Sequence, residues 1–531
     1  MASSTKTVVG PLLIFQALFA CAEDRALSSS SGSTAPDSTA QAPNADPATN
    51  PETSGSCLAA PATAITGETP ARTTTPSKPT SEATAAESNT PPSSQSDPAA
   101  GGARGSATEV NALPDAPAVG GTASAPSGTA STTPSSDGSS NANPANDAQV
   151  LEALNEYLAM PRDERGALEE QGFATQPLSR QGVQDARKAL WSDHAAWITE
   201  TRQAEYDDRV ITRDELKLRF AFTIFGDAPE AGRSLYLSLH GGGNADPSVN
   251  DEQWQNQQQL YQPDEGVYLS PRAPTDTWNL WHEAHIDPMF ERLIEDLIVL
   301  EGVNPNRVYV MGYSAGGDGV YQLGPRMADH WAAASAMAGH PNDAQPFSLR
   351  DIGFTIHVGG DDTAYDRNLK AQEWDDSLNL LEQADPGGYQ HVVQVHAGKG
   401  HWMDLEDAVA VPWMAMFTRD PNPKKIVWYQ DDVLHDRFYW LAVDLTHAQP
   451  ATTLRASVDG QKISLDSDDV HQVRVRLSDE LVDLDQPVVI EANGAEVWND
   501  VVPRTIANLA KTLEERGDPA SVWSGEVAAA L

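Results

Sequence analysis

The sequence predicts an α/β protein in which helices cover a mostly parallel β-sheet. Apolar, strand-like runs such as residues 234–239 alternate with helical stretches as far as about residue 418, which is the order typical of parallel sheets. Another run, residues 308–311, leads directly into the turn 312–316, rich in small residues. After residue 420 the pattern changes to short β-runs. We therefore expect an N-terminal helical segment, a central α/β domain and a small C-terminal β-rich module.

Length and charge narrow the classes of protein further. A chain of 531 residues is expected to form two or three domains. Its formal net charge is −41, and residues 147–531 carry −34 of it. A folded region with this much negative charge repels nucleic acids and anionic membrane surfaces, so we expect neither as a partner. The two cysteines, Cys21 and Cys57, both precede any predicted core, so we expect neither disulfides nor thiolate metal ligands in the folded part.

The first 21 residues have the pattern of an export signal. Lys6 precedes an apolar stretch that is too short to span a membrane comfortably. The stretch ends in Ala20 and Cys21, which resembles a bacterial lipoprotein box. The resemblance implies a lipid anchor at Cys21, so membrane contact would occur only there. Ordinary secretion and an uncleaved segment are the alternatives.

A long polar segment precedes the folded region. Residues 22–146 consist mainly of Ser, Thr, Ala, Pro, Gly and Asn, and cannot bury enough apolar surface to offset their ordering entropy. We predict a disordered stalk there. Residues 147–205 should form a helical extension, with Asp147 as an N-cap and helices over about 149–158 and 181–201.

The remaining chain divides near residue 420. Residues 206–420 should form the α/β domain, with early strands at 216–222 and 234–239. Residues 421–531 contain short β-runs and two hairpin signals, Asp459-Gly460 and Asn493-Gly494. We expect a small antiparallel module there that ends in an amphipathic helix near residues 504–516.

A G-x-S-x-G pattern follows the apolar run 308–311. Gly312 and Gly316 flank Ser314 at two residues on either side, where a sharp strand-to-helix turn tolerates no bulk. Such a turn exposes the serine hydroxyl and directs the Ala315 N–H at a bound carbonyl group. Ser314 is thus a candidate nucleophile.

A glycine-rich segment, residues 240–243, follows the strand at 234–239. Its glycines allow backbone N–H groups to approach a carbonyl oxygen closely. Together with Ala315, Gly242 and Gly243 are therefore our candidates for an oxyanion hole.

Two further segments supply a candidate acid and base. The β-run 354–358 ends in a glycine turn with acids, from which we choose Asp362 and keep Asp361 and Asp366 as alternatives. His401 lies in the Gly-rich loop after the run 392–395 and completes the order Ser…Asp…His. His391 and His396 belong to that run, and we interpret them as structural.

Taken in order, the segments 240–243 (HGGG), 312–316 (GYSAG), 359–362 (GGDD) and 398–401 (GKGH) resemble the α/β-hydrolase superfamily. Within it, the chain is similar to secreted esterases of the polyhydroxybutyrate-depolymerase and feruloyl-esterase kind, and to prolyl-oligopeptidase-like hydrolases. The resemblance covers about residues 216–418. It implies Ser314 as nucleophile, His401 as base and Asp362 as the orienting acid.

The resemblance favours a serine hydrolase acting on carboxylic esters through an acyl-enzyme. A serine peptidase of prolyl-oligopeptidase type and an inactive surface binding protein are the alternatives. We predict no cofactor and no metal, because the chain lacks an HExxH motif and a P-loop. Aromatic residues near the motifs, namely Trp278, Trp281 and Trp402, are candidates for binding a small-molecule or polymer-derived ester, with ordinary core or lid packing as the alternative.

Overall fold

The computed structural model describes residues 144–531, which all lie in one compact unit. The predictions for the export signal, for Cys21 and for residues 22–143 fall outside the described residues. The first helix begins at Pro144 rather than after residue 146, so the last three residues assigned to the stalk belong to it.

Two helices, α1 (Pro144–Ala159) and α2 (Arg180–Asp208), open the described chain. Asp147 does not cap α1 as predicted, because it lies one turn inside that helix. Its carboxylate accepts the Ser179 N–H (3.0 Å), and Ser179 in turn caps α2 by accepting the Gly182 N–H at 3.1 Å. The acid therefore joins the two helices.

An eight-stranded sheet follows, as predicted mostly parallel and covered by helices. Its spatial order is β1-β2-β4-β3-β5-β6-β7-β8. The pairs β1–β2 and β2–β4 are antiparallel, and the other five pairs are parallel. The strands are β1 (Val210–Arg213), β2 (Leu216–Phe225), β3 (Arg233–Leu239), β4 (Gly266–Arg272), β5 (Val303–Tyr313), β6 (Ala333–Met337), β7 (Gly353–Gly359) and β8 (His391–His396). The helices among them are α3 (Pro247–Gln257), α4 (Ile286–Leu300), α5 (Ala315–Arg326), α6 (Arg367–Ala384) and, after β8, α7 (Ala410–Met414).

The central strands are apolar because both sheet faces are covered. Every residue of β4, β6 and β7 is buried, as are the last six of β5. Strands buried on both faces carry continuous apolar runs instead of alternation. This burial fixes the carboxyl ends of β3, β5 and β7, where the candidate site residues lie.

The C-terminal module consists of two small sheets. One has the order β16-β15-β13-β12-β9 and the other β10-β11-β14-β17. The strands are β9 (Lys425–Tyr429), β10 (Arg437–Phe438), β11 (Leu441–Ala442), β12 (Thr453–Asp459), β13 (Lys462–Asp466), β14 (Gln472–Leu477), β15 (Val488–Ala492), β16 (Ala495–Asp500) and β17 (Gly525–Ala530). Both predicted hairpins form, but β13 pairs with β15 in parallel, so the expectation of a wholly antiparallel module was wrong.

The last helix, α8 (Ile506–Arg516), contacts the module strand β17, where Lys511 pairs with Glu526 at 2.9 Å, and it also packs on the N-terminal helices. Strand β17 follows α8, so the module ends in a strand and not in a helix as predicted. Leu509 and Leu513 share an apolar cluster with Val150 and Leu154 of α1 and with residues of α2. The first and last helices of the described chain thus bury one another. Among residues 144–531, no helix has the length and apolar character needed to cross a membrane.

A buried ion pair joins the module to the α/β sheet region. Asp329 follows α5, and its carboxylate accepts hydrogen bonds from Arg516 of α8 and from the Tyr439 N–H at 3.2 Å. Both charged side chains are 2% exposed. His330 contacts the other carboxylate oxygen of Asp329 at 3.1 Å. Charges removed this far from water need partners, so the pair ties α8 to the sheet region.

Candidate active site

Ser314 lies on a strained turn between β5 and α5. Its φ of 58° and ψ of −122° are unusual for any residue other than glycine. A Cβ atom on Gly312 would lie 2.3 Å from the Gly316 carbonyl oxygen, and one on Gly316 would lie 2.1 Å from the Leu239 carbonyl oxygen. The turn can therefore close only with glycine at both positions, as the sequence pattern predicts.

A chain of two hydrogen bonds connects the predicted serine, histidine and acid. His401 Nε2 lies 2.9 Å from Ser314 Oγ, and His401 Nδ1 lies 2.8 Å from Asp362 Oδ2. The Asp362 carboxylate can only accept, so Nδ1 carries the proton and Nε2 is free to accept the serine proton. The imidazole is 44% exposed and the carboxylate 2%, so the base reaches solvent while the acid does not.

Of the three acids in the turn after β7, only Asp362 contacts the histidine. Asp361 and Asp366 are exposed. The Asp362 N–H donates to the Gly359 carbonyl at 3.1 Å, and the Asp362 side chain is buried. Arg367 lies 3.7 Å from the other Asp362 oxygen, so a cation supports the buried negative charge.

Replacement of each acid by its amide tests this choice. We expect Asp362→Asn to lower kcat by up to about 10⁴-fold, because an amide neither holds the imidazole in its working tautomer nor stabilises its charge. Asp361→Asn and Asp366→Asn should remain close to wild type. Steady-state kinetics of the three variants, each checked for folding by circular dichroism, decides the matter. Full activity of Asp362→Asn would exclude it as the orienting acid.

Two of the three predicted oxyanion donors are free to bind an oxygen. Among the described residues, neither the Gly242 nor the Ala315 N–H donates a hydrogen bond. The Gly243 N–H instead donates to the side-chain oxygen of Asn250 at 2.8 Å, so its assignment to the oxyanion hole was wrong. Asn250 lies in α3, and no local pattern in the sequence indicates this contact.

The buried His240 side chain fixes the conformation of the glycine-rich segment 240–243. It is fully buried, and burial lowers the pKa of its imidazole to about 4. The neutral ring donates from Nδ1 to the Gly241 carbonyl (2.6 Å) and accepts the Ala273 N–H at Nε2 (3.1 Å). These two bonds fix the path of the loop that presents the Gly242 N–H.

The three predicted aromatic residues have different environments. Trp402 is 49% exposed and lines the cleft beside Ser314. Trp281 is fully buried and donates to the His240 carbonyl at 3.0 Å, so it packs the core and does not bind substrate. Trp278 is 61% exposed, packs edge-on against His282 and does not line the cleft. Sequence proximity to the motifs could not separate these cases.

The cleft beside Ser314 has a volume of about 680 Å³. Carboxamide side chains from α3 and the residues after it, such as Gln253, Asn256 and Gln259, form one wall. Leu260 and Leu405 add apolar surface. None of the lining residues is an Asp, Glu, Lys or Arg, although the chain holds 76 acids. The cleft is therefore suited to an uncharged ligand.

His391, His396 and Asp318, which lies shortly after the serine turn, have structural contacts. His396 is buried and lies 3.1 Å from His357, the pKa of which burial lowers to about 3. His391 contacts the Tyr389 carbonyl at 2.7 Å. Asp318 accepts the His340 N–H at 2.6 Å, and burial raises the pKa of Asp318 to about 6. Within residues 144–531, no three His, Cys, Asp or Glu side chains cluster as metal ligands would.

Strand order and the strained serine turn together define an α/β-hydrolase fold. No protein-family model matches the chain, and neither does any curated protein. Solved structures with the fold are similar at low identity. A thermostable esterase is 17% identical with a TM-score of 0.32, and the match covers 40% of this chain and 64% of that one. The chain thus spans less than two thirds of that structure's length.

Two further structures resemble the chain at a comparable level. The feruloyl esterase module from Clostridium thermocellum is 14% identical with a TM-score of 0.29, and the match covers 39% of this chain and 86% of that module. Thermogutta terrifontis esterase 2 is 13% identical with a TM-score of 0.28, covering 39% and 88%. Likeness this distant carries no information on substrate, so the functional conclusion depends on the site geometry.

Proposed function

We propose that this chain is a serine hydrolase that cleaves carboxylic esters through an acyl-enzyme. The observation that carries the proposal is the continuous hydrogen-bonded series from Ser314 through His401 to the buried Asp362. It lies at the carboxyl edge of the sheet beside two unoccupied backbone donors. Nucleophile, base, orienting acid and oxyanion donors are the four parts that acyl transfer requires.

The chemistry follows from this arrangement. His401 Nε2 accepts the Ser314 proton as the oxygen attacks the ester carbonyl, and Asp362 stabilises the imidazolium that forms. The developing oxyanion accepts the Gly242 and Ala315 N–H groups, each worth about 10²–10³ in rate. His401 then returns the proton to the departing alcohol. Water repeats the sequence on the acyl-enzyme and releases the acid.

We propose esters ahead of peptides because of the form of the cleft. Its volume of about 680 Å³ suits a small ligand. Extended peptides are commonly held by main-chain bonds to a free strand edge. The edges of the main sheet are β1 and β8, whereas Ser314 follows the interior strand β5. The cleft walls offer side-chain amides and apolar groups instead of a strand edge.

One assay tests whether the chain is a serine hydrolase, and a second tests whether it prefers esters to peptides. A fluorophosphonate should label Ser314, identified by peptide mass spectrometry, and the label should be absent from Ser314→Ala. Short p-nitrophenyl esters should be hydrolysed far faster than peptide p-nitroanilides. Failure to label contradicts the serine hydrolase, and a preference for anilides contradicts the esterase.

We also propose that the enzyme is exported and held at a bacterial membrane by a lipid on Cys21. The basis is the apolar stretch that ends in Ala20 and Cys21, followed by a long polar segment. Mass spectrometry of the mature N-terminus should find a diacylglyceryl-modified Cys21. An intact Met1, or cleavage elsewhere with an unmodified Cys21, contradicts the proposal.

A further inference from the structure

The loop that carries His401 has little rigidity of its own. It contains Gly398, at a φ of 73°, and Gly400, and it exposes Trp402. Glycine-rich backbone has more conformations to lose than other sequences, so such a loop keeps one geometry only when external bonds hold it. Catalysis by a serine and a histidine depends on that geometry, because a displacement of about 1 Å can cost about 10²-fold in rate.

Bonds to the acid turn hold the first half of this loop. The Gly360 N–H donates to the His396 carbonyl, and the Asp361 N–H donates to the Lys399 carbonyl, both at 2.8 Å. A Cβ atom on Gly359 would lie 2.0 Å from the Gly400 carbonyl oxygen, which shows how closely the two segments approach. These contacts set the position of the histidine relative to Asp362. They do not set its position relative to Ser314.

The Tyr313 hydroxyl group holds the second half of the loop, at His401 and Met403. Tyr313 immediately precedes Ser314, and its OH donates to the His401 carbonyl at 2.6 Å and accepts the Met403 N–H at 3.1 Å. The tyrosine is 8% exposed and Met403 fully buried, so water does not readily replace these bonds. The Tyr313 ring also lies edge-on to the His401 imidazole, with 6.0 Å between the ring centroids.

We infer that Tyr313 is a positioning residue that sets the distance between the nucleophile and its base. Ser314 and His401 are 87 residues apart in the chain, yet the tyrosine hydroxyl connects their backbones through a single side chain. The inference rests on the proposed hydrolase function. It assigns the residue between Gly312 and Ser314 a role beyond packing, namely to hold His401 Nε2 within reach of the serine hydroxyl.

The test compares Tyr313→Phe with Tyr309→Phe. Tyr309 lies on the same strand, is fully buried, and its hydroxyl also donates to a backbone carbonyl, that of Phe417 at 2.9 Å, away from the cleft. Both variants keep the ring and lose one buried hydroxyl. Tyr313→Phe should lower kcat on a p-nitrophenyl ester, and the rate of phosphonate labelling, by about 10- to 100-fold. Its KM should stay within about twofold, and Tyr309→Phe should keep wild-type kcat.

Active-site titration and melting temperature separate positioning from folding. Rates are expressed per titrated site, so a loss of folded protein lowers the titre and leaves kcat unchanged. If both variants melt equally early and both keep wild-type kcat per site, the Tyr313 hydroxyl only stabilises the fold and the inference is wrong. If the wild type itself neither labels nor hydrolyses esters, the proposed function fails, which is a distinguishable result.

Discussion

Ser314→Ala should remove almost all ester hydrolysis while the protein stays folded. The serine hydroxyl bonds only to His401 Nε2 among the described residues, and its loss leaves no nucleophile for His401 to activate. We expect kcat to fall by about 10⁴–10⁶-fold, with the remaining rate supplied by the oxyanion donors and substrate binding. Alanine fits the turn, since the crowded positions are Gly312 and Gly316.

A buried serine of the same sheet provides the matched control. Ser335 on β6 is fully buried, and its hydroxyl has no hydrogen-bond partner in the described chain. Ser335→Ala should keep both activity and stability. The measurements are kcat with a p-nitrophenyl ester and thermal melting followed by circular dichroism. Wild-type turnover by Ser314→Ala on every substrate that the native enzyme cleaves would exclude the serine mechanism.

Asp329→Asn should lower the free energy of unfolding by about 3–5 kcal/mol, because the buried Arg516 charge loses its partner. The other donors of Arg516 do not compensate for the lost partner, since its Nε and Nη1 atoms are buried without hydrogen-bond partners in the described chain. Urea titration followed by tryptophan fluorescence measures the loss. The double variant Asp329→Asn/Arg516→Met should recover a substantial part of it, since the buried Arg516 charge is then removed together with its partner.

The effect of Asp329 should depend on pH in one direction. Burial alone raises the pKa of a carboxyl group, but the charges of Arg516 and His330 outweigh it and hold the pKa of Asp329 well below its usual range. A carboxylate with a depressed pKa stabilises the fold above its unfolded pKa of about 3.9, and this stabilisation is lost as pH falls further. The difference between wild type and Asp329→Asn should therefore shrink below about pH 4.

An exposed pair serves as the comparison for Asp329. Lys370 and Glu373 lie 2.6 Å apart on the surface of α6, with side chains 37% and 61% exposed. Surface pairs contribute about 0–1 kcal/mol, so Glu373→Gln should change stability by less than about 1 kcal/mol. Equal losses from Asp329→Asn and Glu373→Gln would show that burial of the Asp329–Arg516 pair has no special role.

The candidate nucleophile, acid and base could be predicted from the sequence because local patterns indicate them. A strand followed by G-x-S-x-G predicted the turn at Ser314. The order of motifs predicted His401 and an acid of the turn after residue 358, where Asp362 was our choice and Asp361 and Asp366 stayed open. Contacts between distant segments were not accessible. Asn250 occupies the Gly243 N–H, and the Tyr313 hydroxyl reaches the His401 loop, but neither contact leaves a periodic or spacing signal in the chain.

Local patterns likewise predicted part of the fold, and contacts between distant segments escaped prediction. Apolar runs that alternate with helical stretches predicted the parallel sheet, and the Asp-Gly and Asn-Gly turns predicted two hairpins of the module. The parallel pairing of β13 with β15 has no such signal, because their residues are joined through a long intervening segment rather than a tight turn. The burial of α8 against α1 likewise depends on residues more than 300 positions apart, such as Val150 and Leu509.

The packing of α8 on α1 and α2 determines when these helices can fold during synthesis of the chain. The apolar faces of α1 and α2 lie among the first residues of the described chain that a ribosome would deliver, yet part of their cover is α8. Until residue 513 has been synthesised, these faces lack that cover and are exposed to non-native association. Contacts across so many residues also slow folding, since a long loop must close before they form. We therefore expect the N-terminal helices to reach their final packing only after translation of residues 506–516.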